Sequence, residues 1–268
     1  MEVIHMNSAS YSAWEWRWRC LEALGGGPPV LAAEARLLAD LAAARPKNYQ
    51  LWNHRRRLAL KRGAAHAPEE LDFAAACLGQ DAKNYHAWAQ RQAVVASFGL
   101  WAAELAYAEA LIAADVRNNS AWNQRWFVVS GAPTKDPGAV LAREVAFAAA
   151  QIRRAPHNDS AWAYLRGLPA LPGQAAQLAY EPGIPAICLE VLSGDHPSCP
   201  PALALLADVY AAQALAARAA GDATASAAAR AAARRCFGHL LVADPLRSAY
   251  WRHCLAQLKS GAEEDDEA

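Results

Sequence analysis

Apolar and polar positions along this chain follow a helical period, not the alternation of a half-buried strand. In one stretch Leu105, Ala108, Leu111 and Ile112 fall on a single helix face, with Glu104 and Glu109 elsewhere around the helix. A second kind of helix follows such stretches and carries a recurring string. Its copies are Tyr11-Ser-Ala-Trp14-Glu-Trp-Arg17, Tyr49-Gln-Leu-Trp52-Asn-His-Arg55, Tyr85-His-Ala-Trp88-Ala-Gln-Arg91, Asn119-Ser-Ala-Trp122-Asn-Gln-Arg125 and Asp159-Ser-Ala-Trp162-Ala-Tyr-Leu165. The tryptophans are 38, 36, 34 and 40 residues apart, which accommodates one helical hairpin per repeat. The marked positions at i, i+3 and i+6 predict one stripe facing a neighbouring element, with Trp supplying packing area and Arg supplying fixed donors.

The connections carry helix stop and start chemistry: Arg45-Pro46-Lys47-Asn48, Asp81-Ala-Lys83-Asn84, Val116-Arg117-Asn118 and Pro156-His157-Asn158. Asn immediately before the Trp helix is a favourable N-cap. Stacked hairpins bury each pair's apolar face against the next, so an all-α repeat array is expected, with five repeats over residues 1–170. A Pro/Gly-rich stretch begins at Leu171-Pro-Gly, and residues 171–258 read as a helical continuation. Within it Ala202 to Cys236 is Ala-rich, with a loop expected around Gly221-Asp-Ala-Thr, and Asp244-Pro-Leu-Arg-Ser-Ala-Tyr250-Trp251-Arg252 reads as a degraded last repeat. Residues 259–268 hold the acidic run Glu263-Glu-Asp-Asp-Glu267 and read as a disordered tail.

Composition narrows the partners. The chain has 268 residues, 54% of them hydrophobic, and 26 basic against 26 acidic side chains, so no global charge favours nucleic acid or an anionic membrane. Six scattered cysteines without a CxxC pair suit free thiols in a reducing, cytoplasmic setting. The first residues lack a basic-then-apolar signal pattern, and the apolar runs read as broken by charge before spanning length. Eight histidines form no HExxH and no Cys/His cluster with zinc spacing, so no metal site is expected.

The strings Pro46-Lys-Asn-Tyr-Gln50 with Trp52, Asp81-Ala-Lys-Asn-Tyr-His-Ala-Trp88, Arg117-Asn-Asn-Ser-Ala-Trp-Asn-Gln-Arg125 and Pro156-His-Asn-Asp-Ser-Ala-Trp162 resemble the repeats of protein prenyltransferase α subunits. The resemblance is closest to the α subunit shared by farnesyltransferase and geranylgeranyltransferase type I, and it is strong over residues 7 to 170. It implies a right-handed superhelical stack of helical hairpins wrapped around a β subunit, and a chain inactive without that partner. It implies that the heterodimer transfers a farnesyl or geranylgeranyl group from its diphosphate to the C-terminal cysteine of CaaX-ended proteins. Zinc would be held by the β subunit, with magnesium a further candidate and no cofactor bound by this chain alone. The family has a further helical segment before its first Trp motif, which begins about ten residues from Met1 here. Ala89, Gln90 and Ala93 replace residues that are Gln, His and Trp in the family pattern.

Prenyl transfer leaves negative charge on the departing diphosphate, so cationic and hydrogen-bond donors aimed there lower the barrier. From spacing alone Lys47 reads as a solvated lysine beside a proline; the resemblance assigns it the diphosphate contact and the catalytic role. By the same resemblance Tyr85 and His86 point toward the diphosphate and substrate pocket, with Tyr49 and Asn84 beside them, and Gln50 recognises the acceptor's terminal carboxylate. Lys83 repeats the context of Lys47 one unit later without that role, and Tyr11 reads as packing. Arg55, Arg91 and Arg125 recur in every central unit and read as scaffold. Two alternatives stand beside this reading: a helical-repeat adaptor binding peptides without catalysis, and the α subunit of the Rab-specific geranylgeranyltransferase.

Overall fold

The computed structural model describes residues 2–171 and 181–263, with side chains described through residue 258. Among the described residues fourteen α-helices follow one another: α1 (Glu2–Met6), α2 (Tyr11–Ala23), α3 (Pro28–Ala44), α4 (Tyr49–Arg62), α5 (Ala67–Gln80), α6 (Tyr85–Phe98), α7 (Trp101–Ala114), α8 (Asn119–Gly131), α9 (Pro137–Arg154), α10 (Asp159–Gly167), α11 (Gly183–Ser193), α12 (Pro200–Ala219), α13 (Ala223–Ala243) and α14 (Ser248–Glu263). No strand occurs among the described residues, and the expected all-α hairpin repeat is the architecture observed. Contacts divide the chain into two compact units, Met1–Ala110 with Asn123–Ala132, and Leu111–Trp122 with Pro133–Ala268.

Helix starts follow the caps read from sequence. The Asn48 side chain accepts from the Leu51 N–H at 2.8 Å, Asn84 from His86 and Ala87, Asn118 from Ala121, and Asn158 from Ser160. Each satisfies a donor that the first helical turn leaves open. Pro in the first turn opens α3, α5, α9 and α12, where its missing N–H costs nothing. Gly63 and Gly99 follow α4 and α6 with φ of 82° and 68°, a region that disfavours residues with a Cβ.

The first tryptophan of each of the five recurring strings is a polar staple as well as core. Trp14, Trp52, Trp88, Trp122 and Trp162 are at most 7% exposed. Their indole N–H groups donate to the carbonyl six residues earlier: Ser8, Pro46, Ala82, Val116 and Pro156. The cap asparagine of the following repeat then donates to the same oxygen. Asn48 shares the Ser8 carbonyl with Trp14, Asn84 shares that of Pro46 with Trp52, and Asn158 shares that of Val116 with Trp122. One carbonyl thus fixes a helix entrance in two successive repeats.

The recurring arginines belong to a buried ladder in the N-terminal unit. Arg17 of α2 makes a two-pronged pair with Glu34 of α3, and His54 of α4 donates to the same carboxylate at 2.8 Å. Arg55 pairs with Glu70 at 2.6 and 2.9 Å while Gln90 donates to Glu70 at 2.9 Å. Arg91 pairs with Glu104 at 2.9 and 2.6 Å while Gln124 donates to Glu104 at 2.7 Å. The guanidinium groups of Arg55 and Arg91 also lie 3.3 and 3.6 Å over the rings of Phe73 and Tyr107. In the C-terminal unit Tyr164 donates to Glu144 at 2.7 Å, continuing the pattern. Burial alone would raise the Glu34 carboxyl, but hydrogen bonds from His54 and Arg17 outweigh it and hold the group below its ordinary range.

The end of the C-terminal unit is built differently. Leu203, Leu205, Leu206 and Val209 of α12 are buried, as are Ile184 and Ile187 of α11 and Phe237 and Leu240 of α13. Against the sequence reading of broken apolar runs, α12 is long and apolar enough by composition to cross a membrane. Here it packs between α11 and α13, with the Asp208 carboxylate 2.9 Å from Arg166. The expected loop is the turn between α12 and α13, where Gly221 has φ 78°. In the last repeat Trp251 is buried but its indole donates to the Asp244 carboxylate, not to a carbonyl six residues back. Helix α14 runs to Glu263; the rest of the acidic tail, and the stretch after Leu171, lie outside the described residues.

Candidate functional site

The residues singled out from sequence converge at the N-terminal ends of α4 and α6. Trp52 and Asn84 both bond the Pro46 carbonyl, so the loop that carries Lys47 is clamped against the start of α6. Lys47 projects outward, its side chain 75% exposed, with its ammonium 3.3 Å from the Asp81 carboxylate. Tyr49 and Tyr85, the first residues of their helices, are 65% and 68% exposed. A helical side chain leans back toward its N-terminus, so a residue in this position overhangs the helix end instead of joining the core stripe. Tyr11 stands at the same position of α2 and is also exposed, which corrects its reading as packing.

His86 lies beneath this aromatic pair. Its ring centre is 4.3 Å from that of Tyr49 and 5.5 Å from that of Tyr85, both nearly perpendicular, and it stacks at 6.1 Å on Trp52. Burial pushes the imidazole pKa down, a hydrogen bond to the Lys47 backbone opposes this, and the nearby Arg56 charge lowers it further. At neutral pH the ring is therefore uncharged and held by its neighbours. Arg56 was not among the sequence candidates. Its Nε is buried without a hydrogen-bond partner, and its place four residues after Trp52, on the same helical row, is the signal that could have found it.

Two candidates are placed otherwise. Asn84 is 2% exposed, and its carboxamide is committed to the cap of α6 and to the Pro46 carbonyl. Gln50 lines a cleft of about 220 Å³ with Tyr11, Trp14, Glu15, Asn53, His54 and Arg57, on the α2 side of α4. Arg57 bridges that cleft to Glu15 at 2.7 Å and lies over the Trp18 ring at 4.3 Å. Lys83 is exposed at the start of α6, as Lys47 is at α4. A separate cavity of about 430 Å³ among α12, α13 and α14 is lined by Leu215, Phe237 and Tyr250 and by none of the candidates. All six cysteines are free, and burial pushes the Cys188 thiol up to about 12. Among the described residues no three His, Cys, Asp or Glu side chains gather as a metal site.

Chemically, the α4 and α6 entrances present one exposed ammonium, two phenol groups and a packed neutral imidazole. Such a set of donors suits an oxyanion group arriving from outside. The description of the protein prenyltransferase alpha subunit repeat matches residues 31–62, 67–98 and 101–132. Those spans are the hairpins α3–α4, α5–α6 and α7–α8, so the outermost Trp motifs, at Trp14 and Trp162, lie outside the matched segments. The fold resembles a chain of the solved Candida albicans protein geranylgeranyltransferase-I complexed with GGPP, with a TM-score of 0.76 and 25% identity over 95% of this chain and 81% of that one. No curated protein matches the sequence.

Proposed function

By family and fold this chain is a protein prenyltransferase alpha subunit, and from that premise we propose that it serves a CaaX-type enzyme. In this reading it pairs with a prenyltransferase β subunit in the cytoplasm and helps transfer a farnesyl or geranylgeranyl group to a C-terminal cysteine. The observation that carries it is the juxtaposition of Lys47, Tyr49, Tyr85 and His86 on one clamped surface.

Each group then has a stated task. The Lys47 ammonium meets the diphosphate as it departs, where charge grows during the reaction and a positioned donor acts most. Its pairing with Asp81 is solvent-exposed and therefore weak, so a multiply charged anion can displace the carboxylate. Tyr49 and Tyr85 donate hydrogen bonds from the rim. His86 keeps both phenols in place and donates no charge of its own. Gln50 meets the acceptor's terminal carboxylate from the α2 side. Asn84 positions the Lys47 loop through the Pro46 carbonyl instead of touching substrate. Zinc, with magnesium a further candidate, comes with the β subunit.

Co-expression with a prenyltransferase β subunit, followed by transfer of a labelled isoprenyl group to a CaaX-ended peptide, tests the reading. It expects transfer only when both chains are present. A stable heterodimer that transfers nothing, or recovery of no β subunit at all, would leave the repeat array as an adaptor.

A further inference from the structure

The loop before α10 meets the loop before α12 in a pair of histidines: His157 Nε2 is 3.3 Å from His196 Nδ1, with ring centres 5.1 Å apart and planes at 84°. The repeat register shows why this pair is unusual. Cys199, the N-cap of α12, has its thiol 3.2 Å from the Pro156 carbonyl that also takes the Trp162 indole, so it occupies the place of a cap asparagine. Its backbone N–H closes a turn onto the His196 carbonyl at 3.0 Å, just as Asn84 closes onto Asp81 at 2.9 Å. His157 precedes Asn158 as Lys47 precedes Asn48. The contact between His157 and His196 is therefore the positional counterpart of the ion pair between Lys47 and Asp81. Where one repeat places opposite charges, the other places two imidazoles edge to face, with two ring nitrogens close enough to share a proton or a cation.

We propose that His157 Nε2 and His196 Nδ1 chelate a divalent transition ion of the zinc class. A tetrahedral ion at Zn–N distances of about 2.0–2.1 Å sets two imidazole nitrogens about 3.3–3.4 Å apart and their ring centres about 5.2 Å apart. The observed 3.3 and 5.1 Å need no adjustment to meet that requirement. Both nitrogens present lone pairs when His157 carries its proton on Nδ1 and His196 on Nε2, the neutral tautomers. His157 is exposed and His196 half-buried, so the ion enters from solvent and water completes its coordination. The ion would tie the α10 entrance to the α12 entrance, reinforcing the Pro156 staple where the ladder of buried pairs has thinned. The separation of 39 positions between the two histidines hid the pair from any search for compact ligand spacing.

The test titrates the isolated full chain, with thiols kept reduced, against Zn²⁺ by calorimetry and against Co²⁺ by visible absorption. Wild type should bind one ion per chain with a saturable change in the visible absorption of cobalt, and zinc should raise its melting temperature. His157→Ala and His196→Ala should each weaken zinc binding by at least roughly tenfold, the least that changes around a metal ligand produce. Far-UV circular dichroism matching wild type would show that the variants fold. The proposal is overturned if wild type shows no saturable binding, or if the double variant binds as wild type does, which would place the ion at the cysteines.

Discussion

The two compact units hold the same kind of helical hairpin together by different means. In the N-terminal unit successive pairs are tied by Arg–Glu bridges whose carboxylates also take a bond from the next Trp helix, at Glu34, Glu70 and Glu104. Late in the C-terminal unit α11, α12 and α13 meet mainly through aliphatic side chains such as Ile187, Leu205 and Leu240. Apolar packing tolerates sliding and repacking, whereas a two-pronged guanidinium pair with a third ligand fits in one register. The polar ladder thus lies under the helix entrances where rotation of one hairpin would separate Lys47 from His86. Stability alone would not require it, since buried ion pairs roughly break even against apolar replacements.

The sharpest way to break this comparison is to strand one rung. Arg91→Ala leaves Glu104 buried without its cation and should cost about 3–5 kcal/mol in urea unfolding. If it costs no more than an exposed substitution, the ladder is ornamental. Replacing Arg91, Glu104 and Gln124 together by apolar residues of similar size should recover most of that loss. A core cavity gives the other side of the contrast. Leu205→Ala, at a fully buried site in α12, should cost about 3 kcal/mol, and Leu205→Met should cost under about 1.5 kcal/mol. Next in size is the shared staple: Asn48→Ala removes the α4 cap and the bond to the Ser8 carbonyl, for a loss of about 1–2 kcal/mol.

The smallest effect is a pH dependence. Glu34 has a folded-state pKa below its ordinary 4.5, so on acidification the unfolded chain takes up the proton first. Its contribution to stability is full above that value and is lost as pH falls through the folded one. Urea midpoints measured between neutral pH and acid should decline less steeply in Glu34→Gln than in wild type. Equal slopes would mean that the His54 and Arg17 bonds do not depress this carboxyl.

Much of this could be read from the chain, and the misses have physical causes. Trp spacing and cap asparagines announce helices because both are local signals. The arginines were legible as scaffold, but their partners were not. Glu34, Glu70, Glu104 and Glu144 each stand 18 residues before the next Trp, at 52, 88, 122 and 162. That constant offset appears only when unlike helices are laid in register. Tyr11 was misplaced because a stripe argument ignores how the first residue of a helix overhangs its end. For the candidate site, the sequence marked Lys47, Tyr49, Tyr85 and His86. It could not show that Asn84 is consumed by backbone bonds or that Arg56 lies near His86. Those are facts of packing between repeats.

The central claim is that a helix entrance, and not the repeat itself, carries the chemistry, and two lysines in the same local context test it. Lys47→Ala and Lys83→Ala should each be assembled with a β subunit and compared for kcat with a CaaX-ended peptide and for urea midpoint. Both exposed substitutions should leave stability within about 0.5 kcal/mol of wild type. Lys47→Ala should lower kcat by roughly 100-fold or more, the scale of losing one donor to a developing anion, while Lys83→Ala stays near wild type. Equal activity in the two assembled variants would contradict the account.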